Sequence, residues 1–154
     1  MTVHKAPRKC ILFVDDEVGL HRAIARSAAQ VGIEVVHAMT ALDGVRLAME
    51  RRPDLIVLDM GMPDLDGIQV LTRLKAARKT ASIPVVIYSA HNDHDQRIEA
   101  FQIGAEDYFE KPFDLDMLMR RIEHHIFKSS ESRPVSGVAG PTDDTVPYVK
   151  RLAR

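Results

Sequence analysis

The sequence contains one cysteine, Cys10, and no long hydrophobic run. A lone cysteine cannot form an internal disulfide, and its place in the apolar stretch CILFV is typical of a small buried side chain in a reducing compartment. The apolar stretches are far shorter than the roughly 20 residues that span a bilayer. The first residues, MTVHKAPRK, lack the apolar middle of a secretion signal. We therefore predict a cytoplasmic protein without membrane insertion.

The chain also lacks a strong net charge, because 21 Lys and Arg face 22 Asp and Glu. A nearly neutral protein has no general attraction to nucleic acid or to an anionic membrane, so a partner must be recognised by a local surface. We expect no direct binding to nucleic acid. A length of 154 residues with 45% hydrophobic content suits one compact domain.

Apolar stretches alternate with helical patterns along the chain, five of each. The apolar stretches are mostly continuous, which is typical of strands covered on both faces. In the first helix, spacing predicts a buried stripe of Leu20, Ile24, Ala28 and Val31. Strand–helix alternation demands a parallel sheet with helices on both faces. We predict strands at 9–15, 34–38, 55–58, 84–90 and 107–110, and helices at 17–31, 41–51, 67–77, 95–103 and 115–127.

The composition changes after Phe127, where Ser, Pro, Gly and Thr dominate and no periodicity persists. We predict a flexible N-terminus at 1–8, a folded domain at 9–127 and a disordered tail at 128–154. The tail is too short for a conventional DNA-binding domain. Its last residues, VPYVKRLAR, leave a docking peptide open as the alternative.

Polar side chains stand where the predicted strands end. Asp15 and Asp16 follow the first strand, Asp59 the third, Ser89 lies near the end of the fourth, and Lys111 follows the fifth. Chemistry in an open parallel sheet gathers outside the carboxyl ends of the strands. We therefore expect three carboxylates, a hydroxyl and an ammonium group to converge at one edge.

Three neighbouring carboxylates repel one another, and a divalent cation removes that conflict. Mg²⁺ fits best, because it prefers oxygen ligands and is usually held by one or two carboxylates together with phosphate oxygens. We predict a magnesium site formed by Asp15, Asp16 and Asp59, to which the backbone carbonyl of Gly61 adds a ligand. A metal, an ammonium group and a hydroxyl around a carboxylate suit phosphoryl transfer, with Asp59 itself as the nucleophile.

Four segments resemble the receiver domain of two-component response regulators: FVDDE at 13–17, LDMGMPDLDG at 58–67, YSA at 88–90 and GAEDYFEKPF at 104–113. Their order and the spacing of Asp16, Asp59, Ser89 and Lys111 also fit that family. The resemblance covers about 9–127. It implies an α/β fold of the flavodoxin-like, doubly wound (βα)5 type, with a five-stranded parallel sheet in the order 2-1-3-4-5.

The resemblance also implies roles. Asp59 would be the phosphoacceptor, Lys111 would pair with it and precede a cis-proline bond, and Ser89 would bind the phosphoryl group. Asp15 and Asp16 would hold Mg²⁺. Tyr108 would change rotamer together with Ser89, and this change would remodel the face made by the fourth helix, the fifth strand and the fifth helix.

The resemblance therefore implies a phosphorylation-dependent signalling switch. Such a switch catalyses only its own phosphorylation and dephosphorylation. The expected phosphodonor is a sensor histidine kinase or a histidine phosphotransfer protein, docking near Leu20, Arg22 and Ala23. The downstream target is open, and a homodimer through the remodelled face is possible. Gly61 offers no side chain to orient an attacking water, whereas for His91 two roles stay open, orienting that water or shielding the site. We expect a phosphorylated state that lasts minutes or longer.

Other interpretations compete with this one. An aspartate-nucleophile phosphohydrolase is the first, although the usual Asp-x-Asp pattern after strand one is missing; a phosphorylation-independent binding module is the second. Asp64 and Asp66 suit turn and N-cap positions before the third helix better than metal binding. Four histidines are interpreted as surface residues: His91, His94, His124 and His125.

Overall fold

The computed structural model describes residues 8–90 and 93–131, and these form a five-stranded, fully parallel sheet in the order β2-β1-β3-β4-β5. The strands are β1 (Cys10–Val14), β2 (Glu34–Ala38), β3 (Leu55–Asp59), β4 (Val85–Ser89) and β5 (Asp107–Glu110). The helices are α1 (Val18–Gln30), α2 (Ala41–Arg51), α3 (Gly67–Ala76), α4 (His94–Ile103) and α5 (Leu115–Glu131). The flavodoxin-like fold and its strand order are confirmed.

The predicted elements are all present, and their bounds differ by at most one residue, except at the end of α5. That helix continues to Glu131, four residues past the predicted end at Phe127. The folded part of the chain therefore extends into what we predicted as tail. Residues 132–154, and residues 1–7 of the predicted N-terminus, lie outside the described residues.

Two hydrophobic cores lie on opposite faces of the sheet, because successive side chains of each strand point to opposite sides. Leu12, Val14 and Leu58 pack on the side covered by α2, α3 and α4. Phe13, Val57 and Tyr88 pack on the other side, which α1 and α5 cover. The central strands are buried on both faces, as their continuous apolar stretches predict.

The buried stripe of α1 differs from the prediction at both ends, because Leu20 is only partly buried and Val31 is exposed. Ile24 and Ala28 are buried, but Val31 is 44% exposed and the third buried residue is His21. Val31 follows the last helical residue, so its side chain no longer follows the helical stripe. Among the described residues, no helix combines the length and the apolar character needed to cross a bilayer.

Candidate functional site

The strand order places the ends of β1, β3 and β4 side by side at the centre of one sheet edge. Val14 pairs with Leu58 and Asp59 pairs with Tyr88, so the residues that follow these pairs meet above the sheet. Asp15 and Ser89 are fully buried and Asp59 is nearly so, whereas Asp16 is exposed. The edge therefore presents a partly closed acidic site that opens to solvent beside Asp16.

Three carboxylates form the acidic part of the site. Asp15, Asp16 and Asp59 each offer an oxygen, and these oxygens lie within 4.8 Å of one another. An all-oxygen donor set of this kind fits a hard divalent cation such as Mg²⁺, which would offset the repulsion between the carboxylates. The donor atoms of the three carboxylates therefore suit a magnesium ion. The ligand role of the Gly61 carbonyl stays a prediction.

Backbone N–H groups hold two of these carboxylates in place. The N–H of Glu17 donates to Asp15 Oδ1 at 2.6 Å, and the N–H of Gly61 donates to Asp59 Oδ1 at 2.9 Å. Each donor lies two residues after its acceptor, where the chain turns away from the strand. The turns that end β1 and β3 thus orient the carboxylates as well as reversing the chain.

Lys111 provides the positive charge. Its Nζ lies 3.3 Å from Asp59 Oδ2 and 3.5 Å from Asp15 Oδ2. The backbone N–H of Lys111 donates to the carbonyl of Ser89 at 2.8 Å, which ties the end of β5 to β4. The bond from Lys111 to Pro112 is cis, as the family resemblance implies. The side chains expected at this edge lie there, and their roles in chemistry remain predictions.

Burial raises the pKa of Asp59 above its ordinary value. The Gly61 N–H and the Lys111 ammonium oppose this rise by stabilising the charged form, and Asp15 adds to it by repulsion. The net direction is upward because desolvation of a carboxylate outweighs these favourable contacts. The contacts of Asp59 therefore do not fully offset the cost of burying its negative charge, and further positive charge beside it would favour the ionised form.

The acidic loop after β3 is shaped by helix capping. Asp66 caps α3 by accepting from the N–H of Ile68 at 3.0 Å, as predicted. Asp64 lies in the turn, as predicted, and it also accepts at 3.0 Å from the N–H groups of both Ala41 and Leu42, and so caps α2. Sequence reasoning missed this contact because it joins residues that are more than 20 positions apart.

Gly67 allows α3 to begin close to this loop. A Cβ at Gly67 would lie 2.4 Å from the Sδ of Met60 and 2.9 Å from its Cα. The second contact involves backbone, so a side-chain rotation cannot relieve it. Gly67 therefore sets how closely α3 approaches the residue that follows Asp59.

Tyr88 is a site residue that sequence reasoning missed. Its hydroxyl donates to Asp15 Oδ2, and its ring lies beneath the Lys111 ammonium, with Nζ 4.7 Å from the ring centroid. Burial, with Asp15 beside it, raises the pKa of the Tyr88 hydroxyl, which stays a donor. The only available signal was a polar aromatic residue within an otherwise aliphatic stretch.

His21 is the second missed residue. Its Nε2 lies 2.6 Å from the backbone carbonyl of Asp15, and its Nδ1 lies 2.6 Å from Nδ1 of His37. Since a carbonyl only accepts, Nε2 of His21 carries the proton, and in the neutral ring Nδ1 accepts from His37. The helix α1 is thereby fastened to the turn that carries Asp15. No local signal distinguishes this histidine from a surface one.

Tyr108, the predicted switch residue, is buried with its hydroxyl 3.3 Å from Gln96 Oε1 on α4. The guanidinium of Arg97 lies 5.6 Å from the ring centroid. The inward position of Tyr108 thus links β5 to α4. His91, the residue predicted to shield the site, lies outside the described residues.

The interpretation of His125 as a surface residue is wrong. Its side chain is 11% exposed and its Nε2 lies 3.0 Å from Asp107 Oδ2, which Arg121 also contacts at 2.7 Å. Despite its burial, the bonds from His125 and Arg121 lower the pKa of Asp107 to about 2. The predicted surface character holds for His124, which is exposed. This network fastens α5 to the start of β5.

Comparison with known proteins gives matches over most of the described residues. The family model of the response regulator receiver domain matches residues 11–123. The DNA-binding dual master transcriptional regulator RpaA of Synechocystis is 35% identical over 73% of this chain and 46% of its own length. The chain spans about half the length of the curated relatives it matches.

Solved structures agree with the family match. The receiver domain of the Francisella response regulator 1452 is 30% identical, with a TM-score of 0.71 over 79% of this chain and 98% of that one. The phosphorylated cyanobacterial phytochrome response regulator RcpA is 26% identical, with a TM-score of 0.69 over 80% and 96% of the two chains. The similarity covers both the fold and the sequence segments at the sheet edge.

Proposed function

The chain belongs to the response regulator receiver family, and from that membership we propose that Asp59 accepts a phosphoryl group and that this modification switches the protein between two states. The observation that carries the proposal is the environment of Asp59. Lys111 contacts its Oδ2, and oxygens of Asp15 and Asp16 lie within 4.8 Å of an Asp59 oxygen. A nucleophilic carboxylate beside a cation and a metal-competent acidic pair is suited to phosphoryl transfer.

In the proposed reaction, an Asp59 carboxylate oxygen attacks phosphorus of a phosphohistidine, the P–N bond breaks, and its electron pair returns to the imidazole, which takes up a proton. Asp15, Asp16 and Asp59 would hold Mg²⁺, which would supply positive charge to the phosphoryl oxygens. The Gly61 N–H holds Oδ1 of Asp59 and so limits its rotation. Lys111 then pairs with the new phosphoryl oxygens, and the buried Ser89 hydroxyl donates to one of them.

On the input side, we propose docking of a sensor histidine kinase or a histidine phosphotransfer protein beside α1. Leu20 lines a groove of about 430 Å³ with Pro112 and Phe113, and the groove opens next to Lys111. Arg22 lies two residues further along α1 and is exposed. Arg22→Glu should slow transfer from the phosphorylated donor protein while leaving phosphorylation by acetyl phosphate unchanged, because only the protein donor needs this surface.

On the output side, we propose that phosphorylation breaks the contact between Tyr108 and Gln96 and alters the face formed by α4, β5 and α5. The occupant of this face is a downstream protein or a second copy of the chain. Sedimentation velocity of the phosphorylated and unphosphorylated protein separates these cases, because only a second copy raises the mass of the isolated protein.

The proposed function is tested by incubation with MgCl₂ and acetyl phosphate followed by intact-mass measurement. One added phosphoryl group is expected, lost in Asp59→Asn and when magnesium is chelated. Asp66→Asn is the matched control, since it removes a carboxylate from the same loop but keeps an oxygen that caps α3. The proposal would be overturned if Asp59→Asn were phosphorylated at the wild-type rate, or if the wild-type protein were not phosphorylated at all.

A further inference from the structure

Tyr88 is fully buried at the same sheet edge as the acidic cluster, on strand β4. Its hydroxyl donates to Asp15 Oδ2, while Asp15 Oδ1 accepts from the N–H of Glu17 at 2.6 Å. Asp15 is itself fully buried, so water does not replace either partner. Both oxygens of this carboxylate are thus held from outside the cluster, and the carboxylate cannot rotate without losing a hydrogen bond.

The ring of Tyr88 is fixed by other aromatic residues. It stacks with Phe13 at 5.8 Å and with Phe109 at 6.1 Å between ring centroids, and Phe113 meets it edge-on at 5.5 Å. A ring packed in this way has one available orientation. The hydroxyl therefore reaches Asp15 from a rigid support rather than from a mobile side chain.

The same ring contacts the cationic part of the site. Lys111 Nζ lies 4.7 Å from the ring centroid, within the range of a cation–π interaction. Lys111 also lies 3.5 Å from the carboxylate oxygen to which the Tyr88 hydroxyl donates. One side chain therefore contacts both the Asp15 carboxylate and the Lys111 ammonium.

We propose that Tyr88 is a positioning residue: its hydroxyl fixes the orientation of the Asp15 carboxylate, its ring holds the Lys111 ammonium, and the hydroxyl contact thereby strengthens magnesium binding by the acidic cluster. Hydrogen-bond partners of metal-binding carboxylates typically change metal affinity by about 10-fold to 100-fold when they are removed. The inference rests on the magnesium site of the proposed function and adds Tyr88 to it as a residue that orients one of the ligands.

The test is isothermal titration of the protein with MgCl₂, comparing wild type with Tyr88→Phe. Phenylalanine keeps the ring, its aromatic packing and its contact with Lys111, and removes only the hydroxyl. We expect magnesium to bind about 10-fold more weakly. In phosphorylation by acetyl phosphate, the half-saturating magnesium concentration should rise by the same factor.

Loss of a buried hydroxyl can also weaken the fold, and Thr80→Val controls for that effect. Thr80 is fully buried and its hydroxyl donates to the carbonyl of Leu74 at 2.6 Å, in the loop before β4 at the opposite edge of the sheet. The melting temperature without magnesium should fall in both variants. Only Tyr88→Phe should change the magnesium affinity.

Wild-type magnesium affinity in Tyr88→Phe would overturn the inference and leave the proposed function intact. An equal loss of affinity in Thr80→Val would also overturn it, because the effect would then come from general loosening of the fold. Absence of magnesium binding in the wild type would overturn both the metal site and the inference, so the two failures are distinguishable.

Discussion

Lys111 and Asp59 are 52 residues apart in the chain, yet Lys111 Nζ lies 3.3 Å from Asp59 Oδ2. The same ammonium lies 3.5 Å from Asp15, so one lysine is shared by two buried carboxylates. Without a metal, this lysine brings a positive charge to both carboxylates. Any event that adds a second anion or a cation at Asp59 must therefore change the partners of Lys111.

Removal of the lysine charge should impair phosphorylation more than folding. Lys111→Met keeps a side chain of similar length but removes the charge-assisted hydrogen bond to Asp59, which is worth about 1.5–3 kcal/mol. We expect phosphorylation by acetyl phosphate, followed by intact mass, to slow about 10-fold to 100-fold. Magnesium binding should persist, because the three carboxylates remain. Lys79→Met, at an exposed lysine, is the control, and equal rates in both variants would refute the role of Lys111.

Gly61 should set the lifetime of the phosphorylated state. Among the described residues, a Cβ there meets only Asp59 Oδ1, at an ordinary distance of 3.5 Å, so a side chain fits. Gly61→Asn introduces a polar group able to orient an attacking water, and we expect a shorter lifetime than in the wild type. Gly61→Ala adds bulk without a polar group and should keep the wild-type lifetime. The decay is followed by intact mass after removal of the phosphodonor; identical decay in all three proteins would contradict the prediction.

Gly67 should be intolerant of even one methyl group. Its substitution by alanine places Cβ 2.9 Å from the Cα of Met60, and forcing a core apart in this way typically costs about 1–3 kcal/mol. Gly19→Ala is the matched control. Apart from its chain neighbours and its own helix backbone, no part of the described residues lies within 4 Å of that Cβ, and alanine is the better helix former by about 1 kcal/mol. In urea denaturation, the free energy of unfolding should fall in Gly67→Ala and rise in Gly19→Ala. A stable Gly67→Ala would mean that the loop after Asp59 adapts freely.

Asp107 should stabilise the fold in a pH-dependent way. Its pKa falls from an ordinary 3.8 to about 2 in the folded state, so its stabilisation is complete above pH 3.8 and is lost as the pH falls through 2. Because Arg121 is 44% exposed, solvent screening reduces the effect to about 1–2 kcal/mol. Asp107→Asn should lower the unfolding free energy at pH 7 by this amount.

The same variant should also show a shallower loss of stability between pH 4 and pH 2 than the wild type, measured by urea denaturation at each pH. Asp43→Asn is the control, because the Asp43–Arg46 pair lies on the exposed surface and is screened. No measurable change is expected there. Parallel pH profiles for Asp107→Asn and the wild type would show that the network of Arg121 and His125 contributes no pH-dependent stability.

Local patterns predicted most of the fold. Continuous apolar stretches, helical spacing and capping residues such as Asp66 depend on neighbours along the chain, so the element bounds could be predicted to within a residue. The end of α5 was missed because the composition turns polar before the helix stops. A polar helix end gives no hydrophobic signal to mark it.

The sequence by itself also located the acids, the hydroxyl and the lysine of the site, because each follows or ends a strand and parallel strands bring such residues to one edge. It did not predict what surrounds them. The contacts that it did not predict join different elements of the fold: Tyr88 with Asp15, His21 with the Asp15 carbonyl, Asp64 with α2, and His125 with Asp107. Such contacts depend on how helices and strands pack in three dimensions, which spacing along the chain does not specify, and only the tertiary structure assigns these residues their partners.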